Sequence, residues 1–294
     1  MHPDSLAVRY KHLFPELKRL TRAQNFITED NVYQEANPDI RKYMDKMCAD
    51  NLEENSEFRN VEAAGQFLRL IREGKRGIIL MEHYSNFDLP GLMYLLERSG
   101  PEGKDLAQHI VAIAGMKLNE DNPIVSAFAE AYTRIIIYPS RSLAGITDPE
   151  TLKREEQRSR VINLASMRAL DQVRKQGNAV LVFPSGTRYR PGKPETKRGV
   201  REIDSYIRLS DIMLLISING NCLRFSDDPH DMLGDVLYRD RVIMTASPVI
   251  DCQAFREEAK AWANDEAADK KQVVVDYVMH RLEAMHEENE KGRL

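Results

Sequence analysis

After Gly77, short apolar runs rich in branched residues alternate with longer stretches of helical periodicity. The runs are Ile78–Met81, His109–Ala114, Arg134–Tyr138, Ala179–Phe183, Ile212–Ile218 and Arg241–Ala246. Between and after them, Phe87–Arg98, Pro149–Gln176, Arg201–Leu209 and Ala254–Glu290 carry helical spacing. A run that is apolar at nearly every position, rather than at every second one, belongs to a strand covered on both faces. Strands of that kind separated by helices predict an α/β fold, a mixed central sheet flanked by helices, over residues 76–294.

The first 75 residues have a different rhythm. Leu6, Tyr10, Leu13, Leu17 and Leu20 recur at three- and four-residue spacing. Ser56–Glu73 carries a second stripe (Val61, Ala64, Phe67, Leu68, Ile71), closed by Gly74. This predicts a small all-helical N-terminal domain over residues 1–75, concerned with packing rather than chemistry. Leu223–Asp240 reads as a polar, acidic loop.

Composition narrows the function. With 42% hydrophobic and 30% charged residues, the 294-residue chain is neither a disordered segment nor a disulfide scaffold. A net charge of −4 argues against a nucleic-acid partner. Apolar runs such as Ile212–Ile216 fall far short of the ~20 residues a membrane-spanning helix needs. Met1-His2-Pro3-Asp4 does not open a secretory signal. Cys48, Cys222 and Cys252 lie far apart and read as reduced structural thiols. The expectation is a cytoplasmic protein, soluble or peripherally attached to a membrane.

Three strand exits carry candidate chemistry. The first reads Met81-Glu82-His83-Tyr84-Ser85-Asn86-Phe87-Asp88-Leu89-Pro90. A strand ends, and a helix begins near Phe87, with Pro90 tolerable in its first turn. α/β sheets place their sites at such exits. Asp88, five residues after His83, returns on the first helical turn, where its carboxylate can orient the imidazole and leave the other nitrogen as a base. The spacing alone is weak, and it recurs in His230 and Asp235, which read as solvated surface; a metal site of His230 with Asp227, Asp228 and Asp231 has no recognised ligand spacing.

The second exit reads Phe183-Pro184-Ser185-Gly186-Thr187-Arg188-Tyr189-Arg190-Pro191. Arg188 and Arg190 can face one ligand, and guanidinium is the preferred bidentate partner of phosphate. Gly186 lets the backbone approach that ligand. Lys193, Lys197 and Arg198 extend the basic segment. The third exit, Ile137-Tyr138-Pro139-Ser140-Arg141, adds Arg141. A serine hydrolase using Ser185, with His83 as base and Asp88 as orienter, is a competing reading, although no G-x-S-x-G elbow is present. A catalytically silent lipid- or carrier-binding module is a third.

His83-x4-Asp88 followed by Phe183-Pro184-Ser185-Gly186-Thr187-Arg188, with an apolar stretch ending in Arg141 between them, resembles the glycerolipid acyltransferase superfamily. The likeness is greatest to its soluble, chloroplast-type glycerol-3-phosphate acyltransferases, which share the serine and both arginines of Pro184–Pro191 and an N-terminal helical domain. Two departures stand out: Thr187 replaces that group's second glycine, as in lysophosphatidate acyltransferases, and Ser140-Arg141 replaces its lysine-histidine pair. The resemblance spans roughly residues 55–250.

It implies acyl transfer from a thioester, on acyl carrier protein or coenzyme A, to glycerol 3-phosphate, with lysophosphatidate as the rival acceptor. It implies His83 as general base oriented by Asp88, and Arg188, Arg190 and Arg141, with the Ser185-Gly186-Thr187 turn, as the acceptor's phosphate site. No metal or cofactor is required, and a peripheral membrane contact would serve product release.

Overall fold

The computed structural model describes residues 4–22, 26–120, 123–226, 231–263 and 269–293. The strands are β1 (Tyr33–Gln34), β2 (Glu57–Arg59), β3 (Gly77–Met81), β4 (Ile110–Gly115), β5 (Arg134–Ile137), β6 (Ala179–Val182), β7 (Ile212–Asn219), β8 (Leu223–Arg224), β9 (Val236–Leu237), β10 (Ile243–Ala246) and β11 (Ile250–Asp251). The helices are α1 (Leu6–Tyr10), α2 (Phe14–Leu20), α3 (Pro38–Asn51), α4 (Val61–Arg72), α5 (Asp88–Arg98), α6 (Pro101–Gln108), α7 (Lys117–Glu120), α8 (Pro123–Glu130), α9 (Pro149–Lys175), α10 (Ile203–Arg208), α11 (Cys252–Ala263) and α12 (Lys270–Glu290).

The fold is α/β, as the alternation predicts. A mixed sheet runs in the order β1-β5-β4-β6-β3-β7-β10-β2, with β11 also on β7. The five inner strands β5, β4, β6, β3 and β7 are parallel. β10 is antiparallel to β7, and β1 to β5. All five positions of β3 are buried, because both faces are covered. Ile79 and Met81 face one core with Met47, Phe67, Leu92 and Leu106 of α3–α6. Ile78 and Leu80 face the other, with Leu170, Ile203, Phe255 and Val275 of α9–α12. Each such side chain contributes about 1.5–3 kcal/mol by leaving water, so a continuous apolar run is the sequence's record of two layers.

Several details depart from the sequence-based expectation. β2 occupies the start of Ser56–Glu73, so that stripe is a strand and then a helix; Phe58 pairs with Met244. β1 and β2 lie at the two ends of the sheet order, and Leu6, Tyr10 and Leu17 share a core with Met81 and Leu214. Ala254–Glu290 holds parts of two helices, α11 and α12. Leu223–Asp240 is not simply a loop: β8 and β9 pair within it, and Asp235 is buried.

Parallel pairing has one consequence for function. β3, β6 and β5 end at the same edge of the sheet, which brings His83, Ser185 and Arg141 together although the sequence separates them widely.

Candidate active site

The His83–Asp88 pair is built by a strand exit and a helix start. Asp88 is the first residue of α5 and is buried. Its Oδ2 accepts hydrogen bonds from the backbone N–H of Tyr84 (2.6 Å) and of Ser85 (2.8 Å), and lies 2.8 Å from His83 Nδ1. Its Oδ1 accepts from Ser85 Oγ at 2.9 Å, and Ser85 Oγ in turn accepts from the Phe87 N–H at 3.0 Å. A carboxylate oxygen already taking two N–H bonds acts as an acceptor, so His83 Nδ1 is the donor, and in the neutral ring the lone pair is then on Nε2. The helix N-terminus adds a favourable field for the carboxylate.

The imidazole is held on other sides too. Its ring stacks on Phe183, centroids 3.9 Å apart, and the His83 carbonyl accepts from the Tyr189 N–H at 2.7 Å. Its side chain retains 17% exposure.

The turn after β6 lies alongside. Gly186 has φ +60°, a left-handed conformation that favours glycine. Its carbonyl accepts a hydrogen bond from Arg141 Nη2, joining the second and third strand exits. Ser185 is buried, and its hydroxyl donates to the Thr187 carbonyl at 2.6 Å. No hydrogen bond joins Ser185 to His83 among the described residues.

The three arginines differ. Arg188 is buried, ion-paired with buried Asp235, and lies 4.2 Å over the ring of Phe225. Arg141 and Arg190 form no ion pair among the described residues, and Arg190 Nε is buried without a hydrogen-bond partner. Burial and then the charge of Arg190 push the Arg141 guanidinium below its ordinary range. Asp235 also accepts from the Ser226 N–H at 3.3 Å, so the second His-x4-Asp match is half structural; Asp227, Asp228 and His230 lie outside the described residues.

Sequence reasoning missed the support behind His83. Glu82 is buried, and its carboxylate accepts from the Ile218 N–H (2.7 Å) and the Tyr84 hydroxyl (2.8 Å) and meets His286 Nδ1 at 3.1 Å. His286 comes from α12, whose Asn289 also donates to Ser217 and whose Glu290 accepts from Asn219. The hydrogen bond to Glu82 holds the His286 imidazolium above its ordinary range. Burial, then Glu82, pushes the Tyr84 phenol far up. One signal did exist: a glutamate directly after an apolar strand.

Residues 59–215, more than half of the chain, match the family model described as Acyltransferase, and the chain belongs to that family. It is an acyltransferase, of a family whose chemistry is lipid acyl transfer. The matched segment contains His83, Asp88, Arg141 and Ser185–Arg190 and ends within β7, before α11 and α12. No curated protein matches the chain. Among the described residues no helix is long and apolar enough to cross a membrane.

Proposed function

We propose that the protein is a glycerol-3-phosphate 1-O-acyltransferase that makes lysophosphatidate from an acyl thioester. The observation that carries this reading is the unpaired Arg141–Arg190 couple on the same sheet edge as the His83–Asp88 pair. A small phosphorylated alcohol held by the two arginines presents its hydroxyl to His83. The likeness of Pro184–Pro191 to the soluble glycerol-3-phosphate enzymes supports this acceptor over lysophosphatidate.

The hydroxyl oxygen attacks the thioester carbonyl as His83 Nε2 takes its proton. The C–S bond of the tetrahedral intermediate then breaks, and the proton passes from Nε2 to the departing thiolate. Asp88 fixes the tautomer and balances the imidazolium. Positioning by the arginines supplies several kcal/mol of the barrier reduction. Arg188, neutralised by Asp235, shapes the turn that carries Arg190 rather than holding the phosphate itself. The Ser185 hydroxyl is engaged by Thr187, which counts against a serine nucleophile.

The test is thiol release from acyl-carrier-protein and acyl-coenzyme A thioesters, with glycerol 3-phosphate, lysophosphatidate or water as acceptor. Release that requires glycerol 3-phosphate and yields lysophosphatidate supports the proposal. Release to water alone, or only with lysophosphatidate, overturns it.

A further inference from the structure

Seven large apolar side chains are exposed among the described residues, and four of them belong to one region. Val161 (46% exposed), Leu164 (56%) and Met167 (42%) lie on α9, and Phe26 (63%) is held against it. The Arg158 guanidinium carbon sits 4.4 Å over the Phe26 ring. A single exposed leucine needs no explanation, but a group of this kind on one element does.

Its height in the fold is fixed by hydrogen bonds. Asn163 Oδ1 accepts from the Tyr138 N–H at 2.9 Å, and Asn163 Nδ2 donates to the Tyr138 carbonyl at 3.0 Å. Further along α9, Ser166 Oγ donates to the carbonyl of Ile136, so the helix runs antiparallel to β5. Tyr138 follows the last residue of β5 and stands three residues before Arg141. Val161 and Leu164 therefore lie level with the edge of the sheet that carries His83, Arg141 and Gly186. The part of α9 before Asn163 runs roughly 20 Å past that edge, at 1.5 Å per residue.

The charge around these side chains is predominantly basic. Arg160 and Arg168 stand four residues before and after Leu164, on the same helix face. Both are exposed, and neither forms an ion pair among the described residues. Lys153 and Arg154 extend the exposed basic face, and Asp171 is matched by Lys175 at 2.7 Å. Glu150 and Glu156 are the other exposed acids on α9, and Arg154 lies 3.9 Å from Glu155. In a chain of net charge −4, this is a local cationic surface.

We propose that the outward face of α9, with Phe26, docks this enzyme reversibly on anionic lipid bilayers. Exposed aliphatic side chains flanked by Arg160 and Arg168 suit a fluid surface that moulds to them and offers phosphates on every side. A second copy presenting the same face would bring like charges together. Resting on the lipid acyl chemistry of the family, the placement sets the catalytic edge beside the bilayer, so an amphiphilic product need not cross open water.

The experiment is co-sedimentation of the full chain with vesicles of phosphatidylcholine alone, or with about one third phosphatidylglycerol. The expected result is binding to the anionic vesicles, weakened by salt. Arg160→Glu with Arg168→Glu, and separately Leu164→Glu, should each lower the partition coefficient by about tenfold or more, with thermal unfolding unchanged. Lys104→Glu, a charge reversal on α6 across the sheet, should bind as wild type. The proposal is overturned if wild type binds neither vesicle, if it binds both equally, if Lys104→Glu loses as much as the α9 variants, or if those variants only dissolve a dimer seen by sedimentation velocity. The readout is binding, so it stands whichever acceptor the site proves to use.

Discussion

The imidazole of His83 lies face to face with the ring of Phe183, with centroids 3.9 Å apart and planes 16° from parallel. Phe183 directly follows β6 and His83 lies two residues after β3, so the neighbouring strands themselves set the plane of the base. His83→Ala should lower kcat by about 10²–10⁴-fold with the protein still folded. Phe183→Ala leaves the base but frees its plane, and a fall of roughly tenfold in kcat, with little change in either KM, is expected. Steady-state kinetics beside circular dichroism checks both; full activity in His83→Ala would move the chemistry elsewhere.

Arg141 and Arg190 should behave alike, and Arg188 differently. Loss of a charge-assisted hydrogen bond costs roughly 1.5–3 kcal/mol, so Arg141→Ala and Arg190→Ala should raise the acceptor KM about tenfold to a hundredfold and spare the donor KM. Lysine at Arg190 should restore only part, because it keeps the charge and loses the fork.

Arg188→Ala should show itself first in stability. It leaves Asp235 buried without its cation, a defect of about 3–5 kcal/mol in comparable pairs. Burial already pushes the Asp235 carboxyl up, against the pull of Arg188. The double variant Arg188→Met, Asp235→Leu should recover much of the lost Tm. An Arg188→Ala protein with unchanged Tm and a raised acceptor KM would return this arginine to the phosphate site.

Ser185→Ala should cost a modest factor in kcat, through the lost hydroxyl bond to Thr187. Mass spectrometry of enzyme mixed with thioester should find no acyl group on Ser185. An acyl-Ser185 adduct would replace direct transfer with a two-step mechanism.

His286 carries a pH signature. Its folded-state pKa is raised by Glu82, so the folded protein holds a proton that the unfolded chain gives up earlier. The stabilisation is complete below the unfolded value of about 6.5 and is lost as pH rises through the higher folded value. Against His286→Ala, wild type should have its largest Tm advantage near about pH 5, shrinking toward about pH 9. Asn289 and Glu290 leave other ties between α12 and β7, so the variant should still fold. An advantage that grows with pH would contradict the Glu82–His286 interaction.

What could be read from the residues alone follows from the range of the interactions. The inner strands announce themselves because two covering layers demand apolar residues at every position. The His83–Asp88 contact is legible because it spans one strand exit and one helical turn. β1 and β2 have two and three residues, too few for any period, and their pairing depends on partners far along the chain. Arg188 looks like Arg190 in sequence; Asp235, 47 positions away, makes them differ. His286 resembles any other helical histidine until α12 is laid against β7.

That last contact also sets a timetable for synthesis. Glu82 emerges from the ribosome 204 positions ahead of His286. At elongation rates of about 5–20 residues per second, the carboxylate waits roughly 10–40 seconds for its partner. Through that interval the central strands can pair, but Ile78, Leu80, Met213 and Leu215 lack the cover of α11 and α12. The nascent chain is then a sheet partly bare on one face, with the Glu82 carboxylate still without its histidine, a natural client for chaperones. The loop that holds His83 gains its last support only when α12 closes over β7.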